Sequence, residues 1–411
     1  MVPRPLYANY HSHSCKQINN KMEETKVVII GAGVCGLTLA TFLQKSGIHC
    51  IVLERRDRAY IETRQRAGVI DSRAVKMFKD WGLADKLLSG PAAYAIEYRL
   101  NGSPRLFISN EGNDNGTQSL FCTQQMLVNN LLRDLIDVTA GDIRFEVADV
   151  IIRNEKNERP QVTYTDESGQ HQVTCDYIVG CDADRGISRS SIPEGVLTKY
   201  SYEYGYAWLA ALVEAPVTGY PIMAISKHGF AAQLPRGPQR SRYYLQCALS
   251  DNATDWPDER IWDEIRLRIG DSSVKNAHIH NIEFVPFRSV VYSPMQYNHL
   301  FLAGDAAHIV PPVSAKGMNL GLYDVEVLAQ ALIKAVKEHD ITALERYSDT
   351  CLTHIWNYQD FALWMADTMH DAGDPTLHGE FRQMVARARL DNLFHSATAA
   401  RLHMEYQGGT N

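Results

Sequence analysis

The sequence predicts an α/β protein in which a parallel-sheet, Rossmann-like domain is interleaved with a mostly antiparallel sheet and followed by C-terminal helices. Three stretches carry this expectation. KVVIIGAGVCGLTLATFLQKSGIHCIVLERR (26–56) alternates strand, tight turn, helix and strand. Residues 205–250 are rich in β-formers, as in YAWLAALVEA, GFAAQLP and SRYYLQCAL. From Met318 onward, apolar residues recur at helical spacing.

Composition narrows the function classes. The chain has 411 residues, 45% of them hydrophobic, enough for two or three domains or one elaborate one. Its net charge of −7 is spread along the chain without a basic stripe, which argues against nucleic acid. No apolar run is long enough to span a membrane. Eight scattered cysteines form no C-x-x-C pair, so neither a metal site nor a disulfide framework is expected. A reduced, cytoplasmic setting fits. Residues 1–23 are polar and aperiodic and read as a leader, with the fold beginning near Glu24. His11 and His13 are expected to belong to that leader rather than to a metal.

In the first unit, KVVII is a strand and Gly31-Ala32-Gly33-Val34-Cys35-Gly36 the turn. The helix runs from about Cys35 to Ser46, and the second strand ends at Glu54. Gly31 permits the turn, Gly33 lets the backbone approach a pyrophosphate, and Gly36 lets helix and strand pack closely. The helix N-terminus faces the phosphates. Glu54 would accept hydrogen bonds from a ribose. A tight turn with no ligand is the alternative. Further on, 144–153, 160–166 and 171–182 read as a β-meander returning to a buried strand.

FLAGDAAHIVPPVSAKGMNLG (301–321) is a strand that stops at Gly304-Asp305, then two prolines, then a helix starting near Gly317. The fingerprint alone does not separate FAD from NAD(P). Asp305 could accept from the ribityl hydroxyls of a flavin. The helix beginning Gly317-Met318-Asn319 would aim its positive end at the ring edge that turns negative on reduction. Pro311 and Pro312 would wall the ring. An ordinary strand end with an Asp cap is the bland reading.

With these motifs in place, the chain resembles the class A flavoprotein aromatic hydroxylases, of the para-hydroxybenzoate hydroxylase type. The resemblance spans about Lys26 to Gly408. It rests on GAGVCGL (31–37), RQRAGV (64–69), YIVGCDADRGISR (177–189), RSRYY (240–244), FLAGDAAHIVPPVSAKGMNL (301–320) and ERYSDTCLTHIW (345–356). It implies FAD reduced by NADPH or NADH, O2 as co-substrate, and a flavin C4a-hydroperoxide that hydroxylates an aromatic acid. It also implies FAD contacts at Gly31, Gly33, Gly36, Glu54, Arg66, Gln124, Asp182 and Asp305. Asp182 is followed by Ala183, where the family usually has glycine. Arg55, Arg56 and Arg58 could hold a 2′-phosphate, favouring NADPH, although a solvated charged turn explains them equally.

For the substrate, the resemblance implies that Arg236 and Tyr244 hold a carboxylate. Three positions around the ring depart from the family pattern: Leu234 replaces a serine, Met223 a tyrosine facing the substrate hydroxyl, and Ala93 a histidine that passes its proton to solvent. Val313 replaces a threonine after the proline pair. Tyr406 matches a second relay tyrosine. Methionine accepts no phenolic proton. Another base therefore serves, or the substrate needs no deprotonation, as an amino- or aminohydroxybenzoate would not. Para-hydroxybenzoate stays open, and so does a 3-substituted benzoate with Tyr406 as its partner. A non-hydroxylating flavin oxidoreductase and a flavin-binding protein without catalysis are the other classes. His308 is expected to pack the proline turn rather than act as a base. Trp356 and Trp364 are expected in core or dimer packing, and a homodimer is anticipated. The expected organisation is an FAD-binding domain from 24–92, 118–198 and 284–335. A substrate domain from 93–117 and 199–283 and a helical region over 336–411 complete it.

Overall fold

The computed structural model describes residues 23–63, 68–108, 117–156, 158–370 and 379–409. Almost all of the expected leader, and Arg66, lie outside the described residues.

Val27–Ile30 is fully buried because it runs through the middle of a parallel sheet covered on both faces. The sheet has six strands in the order Gln296–Tyr297, Leu300–Leu302, Tyr177–Gly180, Val27–Ile30, Cys50–Leu53 and Asp142–Arg144, parallel except at the first pair. Gly180, Ile30, Leu53 and Leu302 are in register. The turns after these strands therefore open along one edge. Helices Val34–Lys45 and Gly317–Glu338 pack over the sheet, and the second of them starts near Gly317 as the sequence predicts.

The meander is divided between sheets. Asp142–Arg144 joins the parallel sheet, while Ala148–Arg153 joins a four-stranded sheet with Gln161–Asp166, Gly169–Thr174 and Glu23–Glu24. Glu146, with φ of 57°, lies between the two, and Asp149, with φ of 47°, sits at a bulge inside the second strand. Likewise 171–182 is not one strand. The chain leaves the meander at Thr174 and re-enters the parallel sheet at Tyr177.

The second large sheet has eight strands in the order His308–Ile309, Ile279–Ser293, Thr198–Val213, Ser241–Ala248, Gly229–Pro235, Ile222–Ser226, Ala95–Leu100 and Ser103–Ile108. Only Ile222–Ser226 and Ala95–Leu100 pair in parallel. Ile279–Ser293 is continuous, so the boundary expected between 283 and 284 falls inside a strand. This one strand reaches two cores, with Phe287 in one and Val291 in the other.

Period-two alternation gives this sheet two buried faces. Leu209, Ala211, Ala224, Ala231, Tyr243 and Leu245 point to helix Asp258–Ile269, against Trp262 and Ile265. Ala210, Met223, Ala232 and Tyr244 point the other way, into a cluster with Val313, Leu320 and the C-terminal helices Tyr347–Met369, Gly379–His395 and Ala397–Gly408. Among the described residues no helix is long and apolar enough to cross a membrane, and no group of side chains could hold a metal ion.

Candidate active site

The nucleotide end is built from backbone. Gly31 has φ of 104°, and a Cβ there would meet the Cys181 carbonyl at 2.5 Å. A Cβ on Gly36 would meet the Gly31 carbonyl at 2.0 Å, so helix and turn can touch only through glycine. Gly33 is different, because its Cβ would point into open space. Gly33 thus leaves room outside the turn, where the following helix has no side-chain cap and no acidic residue in its first turn. Its free N–H groups and positive dipole end suit a pyrophosphate. The buried Glu54 carboxylate accepts from Ala32 N and Arg56 N at 2.9 Å each, which leaves lone pairs for a ribose.

Asp182 and Asp305 emerge from the two neighbouring strands. Asp182 accepts from Ser188 N at 2.8 Å and Ser188 Oγ at 2.9 Å, and it holds the short helix Ile187–Ser190. Burial raises its pKa above the usual carboxylate value, against the Ser188 hydrogen bonds. Ala183 takes φ of 62°, so the alanine adopts the left-handed turn that glycine would adopt freely. Gly304 also has a positive φ, 62°, and a Cβ there would sit 2.8 Å from Cys35 Sγ. It places Asp305, half-exposed, on the tip of a short 3-10 turn.

Beneath that turn lies an ion pair. His308 Nε2 is 2.6 Å from Asp324 Oδ2, and the same oxygen accepts from Gly304 N at 2.9 Å. Burial pushes the His308 pKa down, but the attraction and hydrogen bond of Asp324 outweigh it and leave it raised. His308 is therefore held beneath the Asp305 turn through Asp324, rather than set by the proline turn as the sequence suggests. Gln124 opens helix Gln124–Leu132, which Thr123 caps through Met126 N.

The helix at Gly317 also starts without a side-chain cap or a first-turn carboxylate. Met318 is buried. Asn319 is turned inward: its Oδ1 accepts from Asp71 N at 3.0 Å, and its Nδ2 donates to Val69 and Ala315 carbonyls. Lys316, just before that helix, is 2% exposed and donates to Asp71 Oδ2 at 3.0 Å and to the Gln407 carbonyl at 2.7 Å. This knot ties the C-terminal helix to the start of the Gly317 helix. Burial lowers the Lys316 pKa, partly countered by Asp71.

The pocket end is built from side chains. Tyr98, Met223, Ala232, Tyr244 and Ala210 are successive register partners across five strands and share one face. Leu234 lies two residues beyond Ala232 on that face. Arg236, 8% exposed, donates from Nη2 to Tyr244 Oη at 2.7 Å and from Nη1 to its neighbour's carbonyl at 2.8 Å. Among the described residues no carboxylate pairs with it, and its buried Nε has no partner. Gly68, within RQRAGV, makes room for it: a Cβ there would sit 2.3 Å from Arg236 Nη1. Val313 is buried in the same cluster, and Pro312 is half-exposed. The Tyr406 ring stacks on Phe361 at 4.7 Å. At the far end of the row, Tyr98 Oη lies 3.5 Å from His403 Nε2. Trp364 packs against this cluster, whereas Trp356 is 44% exposed and meets Tyr200 edge-on.

Arg55 and Arg56 are exposed. Arg58 is not available to a ligand in the same way, because Glu62 at 2.7 Å and Asp137 at 3.2 Å hold its guanidinium.

Two uncapped helix ends, an open approach at Gly33 and the carboxylates of Glu54 and Asp305 at the ends of parallel strands suit FAD. Residues 24–362 match the family described as FAD binding domain, and the chain belongs to that family. It is an FAD-dependent aromatic monooxygenase of class A. It is 33% identical over 379 residues to p-hydroxybenzoate hydroxylase of Acinetobacter baylyi, covering 91% of this chain and 92% of that protein. A probable NADH-specific resorcinol 4-hydroxylase of Rhodococcus jostii is 25% identical over 80% of this chain and 62% of its own length. The solved structure of p-nitrophenol 4-monooxygenase PnpA from Pseudomonas putida DLL-E4 shares the fold. Its TM-score is 0.80 at 19% identity, over 95% of this chain and 100% of that one.

Proposed function

We propose that the chain hydroxylates an electron-rich benzoate, para-amino-, amino-hydroxy- or para-hydroxy-substituted, ortho to the activating group. The observation that carries this reading is Arg236: a buried guanidinium without a carboxylate among the described residues, bonded to Tyr244 and facing the apolar row. A guanidinium kept out of water gains most from a planar bidentate anion, and a benzoate carboxylate is one. Bound FAD, reduced by NAD(P)H, supplies activated oxygen from O2.

The protein's own residues do the rest. Arg236 and Tyr244 fix the acid end. Met223, Leu234 and Val313 exclude water along the ring. Pro312 borders the ring from the side of the Asp305 turn, and Tyr406 closes the pocket from the C-terminal helix. Exposed Arg55 and Arg56 favour NADPH over NADH as donor through a 2′-phosphate contact. A cytoplasmic enzyme and a homodimer belong to the same reading, and light scattering tests the latter.

The test is NADPH oxidation by the FAD-loaded protein with 4-hydroxybenzoate, 3-hydroxybenzoate, 4-aminobenzoate and 3-amino-4-hydroxybenzoate, with hydroxylated product and peroxide quantified. Coupled product from a para-substituted acid is the expected result. NADPH consumption that yields only peroxide with every acid would sink the proposal.

A further inference from the structure

Behind Tyr244 stands a buried hydrogen bond that the proposed reaction does not use. Trp208 and Tyr244 are diagonal neighbours on the pocket face, since Ala210 is the register partner of Tyr244 and Trp208 lies two residues back on the same strand. Their rings are 4.7 Å apart at 46°. Trp208 also lies nearly flat on Phe230, 5.1 Å away at 7°, and is 2% exposed. A buried indole N–H needs an acceptor. His370, 1% exposed at the end of helix Tyr347–Met369, supplies it: Trp208 Nε1 donates to His370 Nε2 at 2.7 Å.

The partners fix the roles in this contact. An indole N–H only donates, so His370 Nε2 accepts. A carbonyl oxygen only accepts, so Nδ1 carries the proton and donates to the Ala366 carbonyl at 3.0 Å. Both ring nitrogens are thereby used and the imidazole is neutral. Stacking on Phe230 sets the plane of the Trp208 indole. The bond to His370 sets which way round the indole lies in that plane, and hence which part of it lies against Tyr244. We propose that His370 is a positioning residue for the substrate anchor: it holds the Trp208 ring against Tyr244, and so holds the Tyr244 hydroxyl that meets Arg236. The proposal rests on the reading of Arg236 as the carboxylate anchor.

The surroundings of His370 support this role. Tyr206 stacks on it at 4.8 Å and 18°, and Phe230 and Phe287 lie 4.7 and 4.9 Å away. Among such rings an apolar side chain of similar size would fold at less cost than an imidazole, so filling space alone does not account for it. The Ala366 carbonyl also accepts from the His370 backbone N–H at 3.0 Å, which fixes the residue to the last turn of its helix. Burial pushes the His370 pKa down to about 3, against the opposing pull of the Ala366 carbonyl. His370 therefore remains an acceptor throughout the neutral range.

The experiment measures how strongly the FAD-loaded protein prefers an acid to its methyl ester. Flavin absorbance gives dissociation constants for 4-hydroxybenzoate, 4-aminobenzoate and their methyl esters. The ester keeps the ring and loses the charge. The wild type is expected to prefer the acid by at least about 30-fold. In His370→Phe, which keeps a ring and removes the acceptor, the preference should fall by about tenfold, roughly the effect of leaving one buried donor unsatisfied. In His370→Gln, whose side-chain oxygen reaches the place of Nε2, it should stay within about threefold of the wild type. FAD affinity should stay within about twofold in both, which a general loss of packing would not spare. An unchanged preference in His370→Phe, with Arg236→Met still abolishing it, overturns the proposal alone. Equal loss in His370→Phe and His370→Gln also overturns it, because the acceptor would then not be what matters. If His370→Phe fails to fold, Trp208→Phe decides: it removes the donor and the ring behind Tyr244, and a wild-type preference there overturns the proposal. A wild type that binds neither acid, or binds acid and ester alike, overturns both this proposal and the carboxylate anchor.

Discussion

The nucleotide end and the pocket end are made of different material. At the first, contacts come from backbone: glycines at 31 and 36 that no Cβ could replace, and two helix starts without caps. At the second, contacts come from side chains on separate strands, with Tyr98, Met223 and Tyr244 brought side by side only by pairing. A backbone site needs particular residues at fixed short spacing and leaves a contiguous motif. A side-chain site needs only register and tolerates substitution one position at a time. The departures at Met223 and Leu234 fall at the second end, as this difference implies.

The largest effect should come from removing the support under the backbone site. Asp324 holds His308 and Gly304 N, and all three are buried. Asp324→Ala should cost on the order of 3 kcal/mol, by loss of one partner of a buried pair. Chemical denaturation of the two proteins measures it. The deficit should depend on pH. The folded-state pKa of His308 is raised, so the pair's contribution is full below the unfolded value, near about 6.5, and is lost as pH rises through the folded value. A deficit that grows with pH would contradict the assignment.

Next comes the anchor of the side-chain site. Arg236→Met removes the only charge proposed for the carboxylate, and loss of one partner of a buried charged contact costs about 2–5 kcal/mol. Affinity for a benzoate should fall by at least about 30-fold, while FAD binding stays within about twofold. Titration of the bound flavin reports the first and fluorescence of released FAD the second. Equal loss of both would erase the distinction between the two ends.

The same distinction explains what the sequence revealed. The βαβ unit, Asp305 and the helix at Gly317 were legible because each is a local pattern of small residues, apolar runs and a carboxylate. The divided meander was not, since Glu146 is an ordinary residue with left-handed backbone and only pairing shows which sheet claims each strand. Lys316 stood within a legible motif, but its burial and its partner Asp71 depend on the docking of the C-terminal helix. Gly68 lay within RQRAGV without a role of its own, because its importance lies in the Arg236 guanidinium that faces it.

Gly68 joins the two ends and should give an intermediate effect. Its Cβ would sit 2.3 Å from Arg236 Nη1 and 2.8 Å from Cζ, atoms at the tip of a flexible side chain. The tip moves rather than the backbone. Gly68→Ala should therefore leave the denaturation midpoint nearly unchanged. A displaced bidentate contact should weaken benzoate binding by about tenfold, roughly the worth of one charge-assisted hydrogen bond. Wild-type affinity in this variant would mean that Arg236 does not work from the position seen here.

The smallest effect should come from Ala183, the one departure at the backbone end. Its φ of 62° costs an alanine about 1–2 kcal/mol relative to right-handed backbone, while glycine pays about 0.5–1 kcal/mol in lost chain freedom. The two nearly cancel. Ala183→Gly should gain at most about 1 kcal/mol, read as a slightly higher denaturation midpoint. Asp182 is held in place by Ser188 rather than by residue 183, so FAD affinity should not change. A large change in FAD affinity would show that the second nucleotide motif depends on its side chain at 183. The backbone end would then be no more tolerant than the pocket, and the contrast between the two would have to be redrawn around individual turns.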